Sequence, residues 1–289
     1  GVQTCALPIF AASAGTPVYI YSAATLEHHY QELAGAFAEL EPTICFSIKS
    51  LSNLAVLRLL KGLGSGFDVV SGGEIARARE IGADMSRVVY AGVGKTDREI
   101  TEALEAGVGL FNVESEQEFE NLSRLAAAAG KTARAALRVN PDVDPHTHRY
   151  TTTGKKESKF GVDIERAGRF FERYGRDGHA RLTAIHLHIG SPVYSAQPYV
   201  EAIGKTLALI DRLRERGHAV DTLDIGGGFG ADYEADRSPA ASAYADQIVP
   251  LLRGRGLQVI LEPGRQITAN AGILVGRVLY VKQGGERNF

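Results

Sequence analysis

Four groups of residues in this chain have the types and spacing to do chemistry, and each lies at the end of a run rich in β-branched residues. Lys49 ends Ile44-Cys45-Phe46-Ser47-Ile48-Lys49, and His186 and His188 stand two apart in His186-Leu187-His188-Ile189-Gly190-Ser191. Gly226-Gly227-Gly228 and Glu262-Pro263-Gly264-Arg265 follow two further runs. An amine can bond an aldehyde carbon. An imidazole can lie flat against a flat ring. A glycine turn lets backbone N–H groups approach an anion. A carboxylate can bind a ring nitrogen and keep it protonated. Together these are the parts needed to hold pyridoxal phosphate.

Each part also has a plainer reading. Side chains alternate across a strand, so Cys45, Ser47 and Lys49 share one face, opposite Ile44, Phe46 and Ile48. A lysine enclosed on the small face loses solvation, which predicts a lowered pKa and a more reactive amine. The alternative is an exposed lysine at a strand end. An H-x-H pair can instead ligate a metal, but a catalytic zinc needs three protein ligands. Of the other histidines, His28, His29, His146, His148, His179 and His218, only His146 and His148 fall on a suitable loop, so no metal is expected. For His186 the plain alternative is an ordinary core histidine. The glycine triplet could be a simple turn, and Glu262 with Arg265 a surface ion pair worth little. Against that, a carboxylate on a pyridine nitrogen makes the ring an electron sink, which suits decarboxylation. The planar fork of Arg265 matches phosphate or a substrate carboxylate. Asp68 and Arg138 are further polar residues at predicted strand ends.

The elements that must position these residues are legible as alternation. Runs at 44–48, 67–70, 87–90, 109–113, 135–139, 183–189, 222–225 and 258–261 are separated by amphipathic stretches near 52–62, 73–82, 96–106, 115–129, 163–173, 198–216 and 240–253. Eight strands alternating with helices predict an α/β fold of the (β/α)8 TIM-barrel type, which typically takes about 250 residues. The alternative, a doubly wound open sheet, would want a glycine fingerprint after the first strand, where Ser50-Leu51-Ser52 has none. The barrel reading puts the glycine triplet after strand seven, a habitual phosphate position. Ser52, Thr96 and Ser115 are predicted helix caps, the last two with a glutamate three residues on. Val18–Tyr21 reads as an extra strand, 24–40 as a helix feeding the barrel, and Asp142–Lys159 as a polar loop beside the site. Residues 1–9 fit none of this. Gly272–Lys282 reads as a final strand with no later partner, so more protein is expected to follow.

Composition narrows the classes. The 289 residues are 44% hydrophobic and 23% charged, with net charge −2, which favours neither a nucleic-acid nor a membrane partner. No apolar run approaches the roughly 20 residues of a membrane span. Two cysteines, Cys5 and Cys45, are too few for a disulfide framework, which suits a reducing cytoplasm.

Taken in order, several motifs resemble the diaminopimelate decarboxylase family, whose fold is shared with alanine racemase and ornithine decarboxylase. They are Phe46–Lys49, Gly64–Glu74, Ala91–Thr96, Arg138–Pro141, Lys159–Gly161, His186–Ser191, Asp224–Phe229 and Glu262–Arg265. Gly92–Thr96, Asn112–Ser115, the 142–148 loop and Thr153-Gly154 with Lys159–Gly161 favour that family over decarboxylases of ornithine, arginine or carboxynorspermidine; a non-catalytic carrier of the cofactor is the other alternative. The resemblance implies that Lys49 bonds the cofactor and that His188 stacks on its ring, these two being the catalytic residues. It implies that Ser191, Gly226, Gly227, Gly228, Gly264 and Arg265 hold the phosphate, and that Glu262 binds the ring nitrogen. Arg265 would also face an amino-acid substrate, and Asp68 and Arg138 would support the site. It further implies a homodimer and a second, β-rich domain carrying a catalytic cysteine. The expected division is then 1–14 outside the pattern, 15–271 barrel, and 272–289 the start of that second domain. A chain stopping there is expected to hold cofactor and turn over poorly.

Overall fold

The computed structural model describes residues 6–144, 160–233 and 238–288; the expected loop residues 145–159, among them His146, His148, Thr153, Gly154 and Lys159, lie outside them. Chain order gives α1 (Ala6–Ala14), β1 (Val18–Tyr21), α2 (Ala23–Ala36), β2 (Thr43–Ser47), α3 (Leu54–Gly62), β3 (Gly66–Val69), α4 (Gly72–Glu80), β4 (Val88–Tyr90), α5 (Asp97–Ala106), β5 (Leu110–Val113) and α6 (Glu116–Ala128). There follow β6 (Ala133–Asn140), β7 (Val162–Asp163), α7 (Ile164–Tyr174), β8 (Ala180–His186), α8 (Gln197–Glu215), β9 (Thr222–Asp224), α9 (Ala241–Leu252), β10 (Gln258–Leu261), α10 (Arg265–Thr268) and β11 (Gly272–Val275).

Strands β2, β3, β4, β5, β6, β8, β9 and β10 pair in parallel, and the β10–β2 and β5–β6 pairings close the ring. That closure is the expected (β/α)8 barrel and excludes the open sheet. Helix starts follow the local chemistry. Thr96 and Glu99 form a reciprocal capping box on α5, and Ser115 caps α6. On α3 the cap is Asn53, not Ser52: its side chain accepts from the Ala55 and Val56 amides, as a short amide at the cap can.

The last strand departs from expectation. Only Gly272–Val275 of the predicted 272–282 run is a strand in that sheet, and it pairs antiparallel with Val18–Tyr21, a partner that precedes it in the chain.

The alternation of the barrel strands sets up the site. Cys45, Val89, Leu110, Ala136, Ala184 and Ile260 form a small apolar cluster separate from the main core, while Phe46, Phe67, Val69, Phe111, Leu137 and Ile185 join the larger core with the helices. Two residues beyond the small cluster stand Ser47, Ala91, Asn112, Arg138, His186 and Glu262, joined by Asp68 of β3 and Asp224 of β9. With a period of two, an apolar layer is followed by a polar one at the C-terminal mouth.

Candidate active site

Strand β2 stops at Ser47, and Ile48–Ser50 turn as a short 3-10 segment, so Lys49 sits on a turn and not at the strand end expected. The turn still aims its amine inward. Lys49 Nζ donates to Asp68 Oδ2 at 2.6 Å, and Ser47 Oγ donates to the same oxygen at 2.6 Å. The expectation of a lowered lysine pKa is corrected. Burial pulls it down, but the carboxylates of Asp68 and Glu262 outweigh that and raise it. Asp68 itself is fully buried, which pushes its own pKa up against the pull of Lys49. The amine is therefore stored as an ammonium and must lose a proton before it can act as a nucleophile.

Glu262, one residue past β10, is held on both oxygens. Asn112 Nδ2 donates to Oε1 at 3.3 Å, and His186 Nε2 lies 3.3 Å from Oε2. Burial alone would raise its pKa, but His186 and Lys49 drive it below the usual carboxylate range. This is a buried carboxylate kept ionised by the groups beside it. His186 is thus more than an ordinary core histidine, because it bonds the carboxylate of the site.

His188 lies beyond the end of β8, partly buried. Its pKa is pushed down to about 3, by burial first and then by the positive charges of Arg138 and Lys49. It is a neutral imidazole throughout the physiological range, as suits a ring that stacks rather than one that carries charge.

Arg138, on β6, is gripped from two sides. Its Nη1 donates to Glu114 Oε1 at 3.2 Å, and its guanidinium lies 4.8 Å from the Phe160 ring centroid. Glu114 Oε2 also accepts the Gly161 amide at 3.0 Å, and Asn140 Nδ2 donates to the Phe160 carbonyl. The 160–161 segment is thus tied back onto the arginine.

The position expected for a phosphate is a close meeting of backbones. A Cβ on Gly227 would stand 2.1 Å from the Glu262 carbonyl oxygen, so only glycine fits. The Glu262 amide donates to the Gly226 carbonyl at 2.8 Å, and Tyr199 Oη donates to the Gly227 carbonyl at 2.9 Å. Gly264 packs against Ser47 and Ser50. Arg265 Nε donates to Ser191 Oγ at 3.2 Å and Nη1 to Tyr233 Oη at 2.6 Å, so the expected phosphate residues Ser191 and Arg265 meet.

The structure brings the expected residues to one end of the barrel. It adds Ser47, Asn112, Glu114 and Asp224, which the strand-by-strand reading did not single out as site residues. The signal was available: each lies at or next to a β2, β5 or β9 terminus, and Ser47, Asn112 and Asp224 are polar residues within strands whose other residues are mostly apolar. Lys95, within the Ala91–Thr96 motif, is a buttress. Its buried ammonium bonds the carbonyls of Gly92 and Asn112 and the Glu118 carboxylate at 2.7, 2.8 and 2.6 Å, and so fixes the backbone that carries Asn112.

These residues fit pyridoxal phosphate on structural grounds. Asp68 Oδ1, Asn112 Oδ1, Arg138 Nε and His186 Nδ1 are buried polar atoms with no hydrogen-bond partner among the described residues. Such atoms are costly unless a ligand or water satisfies them. A lysine, a neutral imidazole, a glycine cradle and an ionised carboxylate surround the same mouth.

Comparison with known proteins agrees. The family described as pyridoxal-dependent decarboxylase, pyridoxal binding domain, matches residues 23–269. Diaminopimelate decarboxylase of Haemophilus influenzae is 44% identical over 276 residues, covering 95% of this chain and 66% of that protein. The Pseudomonas aeruginosa enzyme of the same name is 44% identical over 275 residues, with 95% and 66% covered. The chain therefore spans about two thirds of the length of these relatives. The crystal structure of Helicobacter pylori diaminopimelate decarboxylase complexed with L-lysine superposes with a TM-score of 0.92 at 36% identity, covering 96% of this chain and 70% of that one. Among the described residues no helix is long and apolar enough to cross a membrane. With the matched family covering most of the barrel and the site, the chain belongs to the pyridoxal-dependent decarboxylases, whose pyridoxal-binding domain it carries.

Proposed function

We propose that this protein decarboxylates meso-2,6-diaminopimelate to L-lysine and CO2, with Lys49 and His188 as catalytic residues. The observation that carries the reading is the ionised Glu262 carboxylate, held by Asn112 and His186 in a mouth that also contains Lys49, together with identity to diaminopimelate decarboxylases along most of the chain. Lys49 would hold the cofactor's aldehyde carbon, His188 its ring face and Glu262 its ring nitrogen. Ser191, Gly226, Gly227, Gly228, Gly264 and Arg265 would hold its phosphate. Pyridoxal phosphate, when bound, supplies an electron sink for the pair left behind as a carboxylate carbon departs as CO2.

The chain's own groups do the rest. Asp68 holds the Lys49 proton and can keep it while the amine is engaged elsewhere. Neutral His188 adds no positive charge that would repel Lys49 or Arg138. Arg138, fixed by Glu114, offers an unspent Nε donor toward the site. Arg265 presents a planar fork to a carboxylate. A homodimer and a cytoplasmic location, implied by the resemblance, belong to the same proposal.

The test is release of CO2 and L-lysine by the protein loaded with pyridoxal phosphate. Meso-diaminopimelate should be preferred over ornithine or arginine by at least about a hundredfold in kcat/KM, as for a site built to pair a polar group that the competitor lacks. Equal or faster release from ornithine or arginine would overturn the substrate assignment and leave the family intact.

A further inference from the structure

Behind the Glu262 carboxylate lies a second acid with no role so far. Asp224, the last residue of β9, is completely buried. Its Oδ1 accepts the Gly226 amide at 2.8 Å. Its Oδ2 is buried, and among the described residues no N–H or O–H reaches it. What stands beside it is Glu262: ligand atoms of His186, Asp224 and Glu262 all lie within 4.8 Å of one another. Two buried carboxylates at such range strongly disfavour one another's ionisation, so one of them carries a proton.

The donors decide which. Glu262 already accepts from Asn112 and His186, whereas among the described residues the Asp224 carboxyl accepts only from the Gly226 amide. We propose that Asp224 is protonated in the folded protein and donates that proton in a hydrogen bond to Glu262, making Asp224 a positioning residue for the carboxylate assigned to the cofactor's ring nitrogen. The functional half of this rests on that assignment of Glu262; the protonation does not.

The acids facing Asp224 agree in sign, and the two basic groups nearby are turned to other acids. Glu262, just past β10, and Asp68 on β3 are acids that disfavour a further negative charge, and buried Cys45 on β2 adds none of the opposite sign. Lys49 is held by Asp68, and His186 faces Glu262. Burial first, and then Glu262, push the Asp224 pKa well up, while Glu262 is pulled down. The consequence is structural as well. Asp224 Oδ1 fixes the first amide of the glycine turn, so one side chain ties the ring-nitrogen carboxylate to the phosphate cradle.

The test is a comparison of Asp224→Asn, which copies a protonated aspartate as one acceptor and one donor, with Asp224→Ala, which copies neither. A buried acid with a raised pKa stabilises the fold in full only below the unfolded carboxylate range, and that contribution is lost as pH rises toward its folded pKa. Thermal unfolding without cofactor should therefore show Asp224→Asn at least as stable as wild type at neutral pH, with its advantage shrinking as pH falls toward about 4 and gone below that. Asp224→Ala should be less stable than both. In a Glu262→Gln background the pH-dependent advantage of Asp224→Asn should shrink without vanishing, because the second charge is gone while burial still disfavours the ionised Asp224. The Kd for pyridoxal phosphate should stay close to wild type in Asp224→Asn and weaken about tenfold in Asp224→Ala, the effect of one charge-assisted hydrogen bond. An Asp224→Asn variant as damaged as Asp224→Ala, or a stability difference from wild type that does not change with pH, would overturn the proposal. The unfolding arm needs no cofactor, so failure of the Glu262 assignment would show only in the binding arm.

Discussion

Glu114→Ala is expected to destabilise the folded chain by about 3 kcal/mol, because removing one member of a buried ion pair strands the other charge. The Arg138 and Glu114 side chains are only 8% and 3% exposed, so little water is available to replace the lost partner. The same substitution frees the Gly161 amide from Glu114 Oε2. Glu114→Gln keeps one acceptor oxygen and turns the other into an NH2 that faces a donor, so it should cost less than Glu114→Ala while still losing one of the two hydrogen bonds. The charge also matters for the cofactor. An arginine no longer pulled toward Glu114 would present its guanidinium in other orientations, and the affinity for pyridoxal phosphate should fall with stability. Urea unfolding of Glu114→Ala, Arg138→Ala and the double variant measures the pair directly. The double variant should lose less than the sum of the singles, which is the signature of contact. A loss below about 1 kcal/mol for Glu114→Ala, with additive singles, would mean the pair behaves as a solvated one.

Gly228→Ala should be nearly as severe. Gly228 has φ of +100°, where a side chain is strained, and a Cβ there would stand 2.1 Å from the Gly190 carbonyl oxygen and 3.0 Å from Tyr199 Oη. The first obstacle is backbone and cannot swing away. The second already donates to the Gly227 carbonyl, so moving it unlocks the neighbouring turn. Left-handed strain of about 1–2 kcal/mol and overpacking of about 1–3 kcal/mol together predict a loss of about 3 kcal/mol. Any folded fraction should bind pyridoxal phosphate at least about tenfold more weakly, because the turn assigned to the phosphate would have opened. Calorimetry and a binding titration check the two parts. Full stability with unchanged affinity would contradict the assignment of this turn to the phosphate.

The barrel was legible because its strands are doubly buried and read as short apolar runs, such as Val88–Tyr90 and Gln258–Leu261, between helices with readable caps. The strand-end residues were legible because a barrel collects chemistry at one face. What could not be read was which residues meet. The Lys49 pKa was expected to fall with burial, and it rises because Asp68, on the next strand, places a carboxylate 2.6 Å away. Asn112 and Glu114 looked like parts of a family motif with no stated job. Only closure of the ring brings Asn112 to Glu262, 150 residues along the chain. His186 was open to a core reading for the same reason. The β1–β11 pairing joins residues more than 250 positions apart, a distance at which neither strand's own pattern names its partner. The 48–50 turn that carries Lys49 was missed because Ile44 to Lys49 keeps the alternation of a strand to its last residue.

The central claim is that Lys49 is the covalent seat of the cofactor. Purified protein should be incubated with pyridoxal phosphate, reduced with borohydride, digested, and its peptides mapped by mass spectrometry. One pyridoxyl group fixed on the Lys49 peptide, absent from a Lys49→Ala control, is the predicted result. Folded protein that carries no pyridoxyl group, or carries it on another lysine with Lys49 unmodified, would contradict the account.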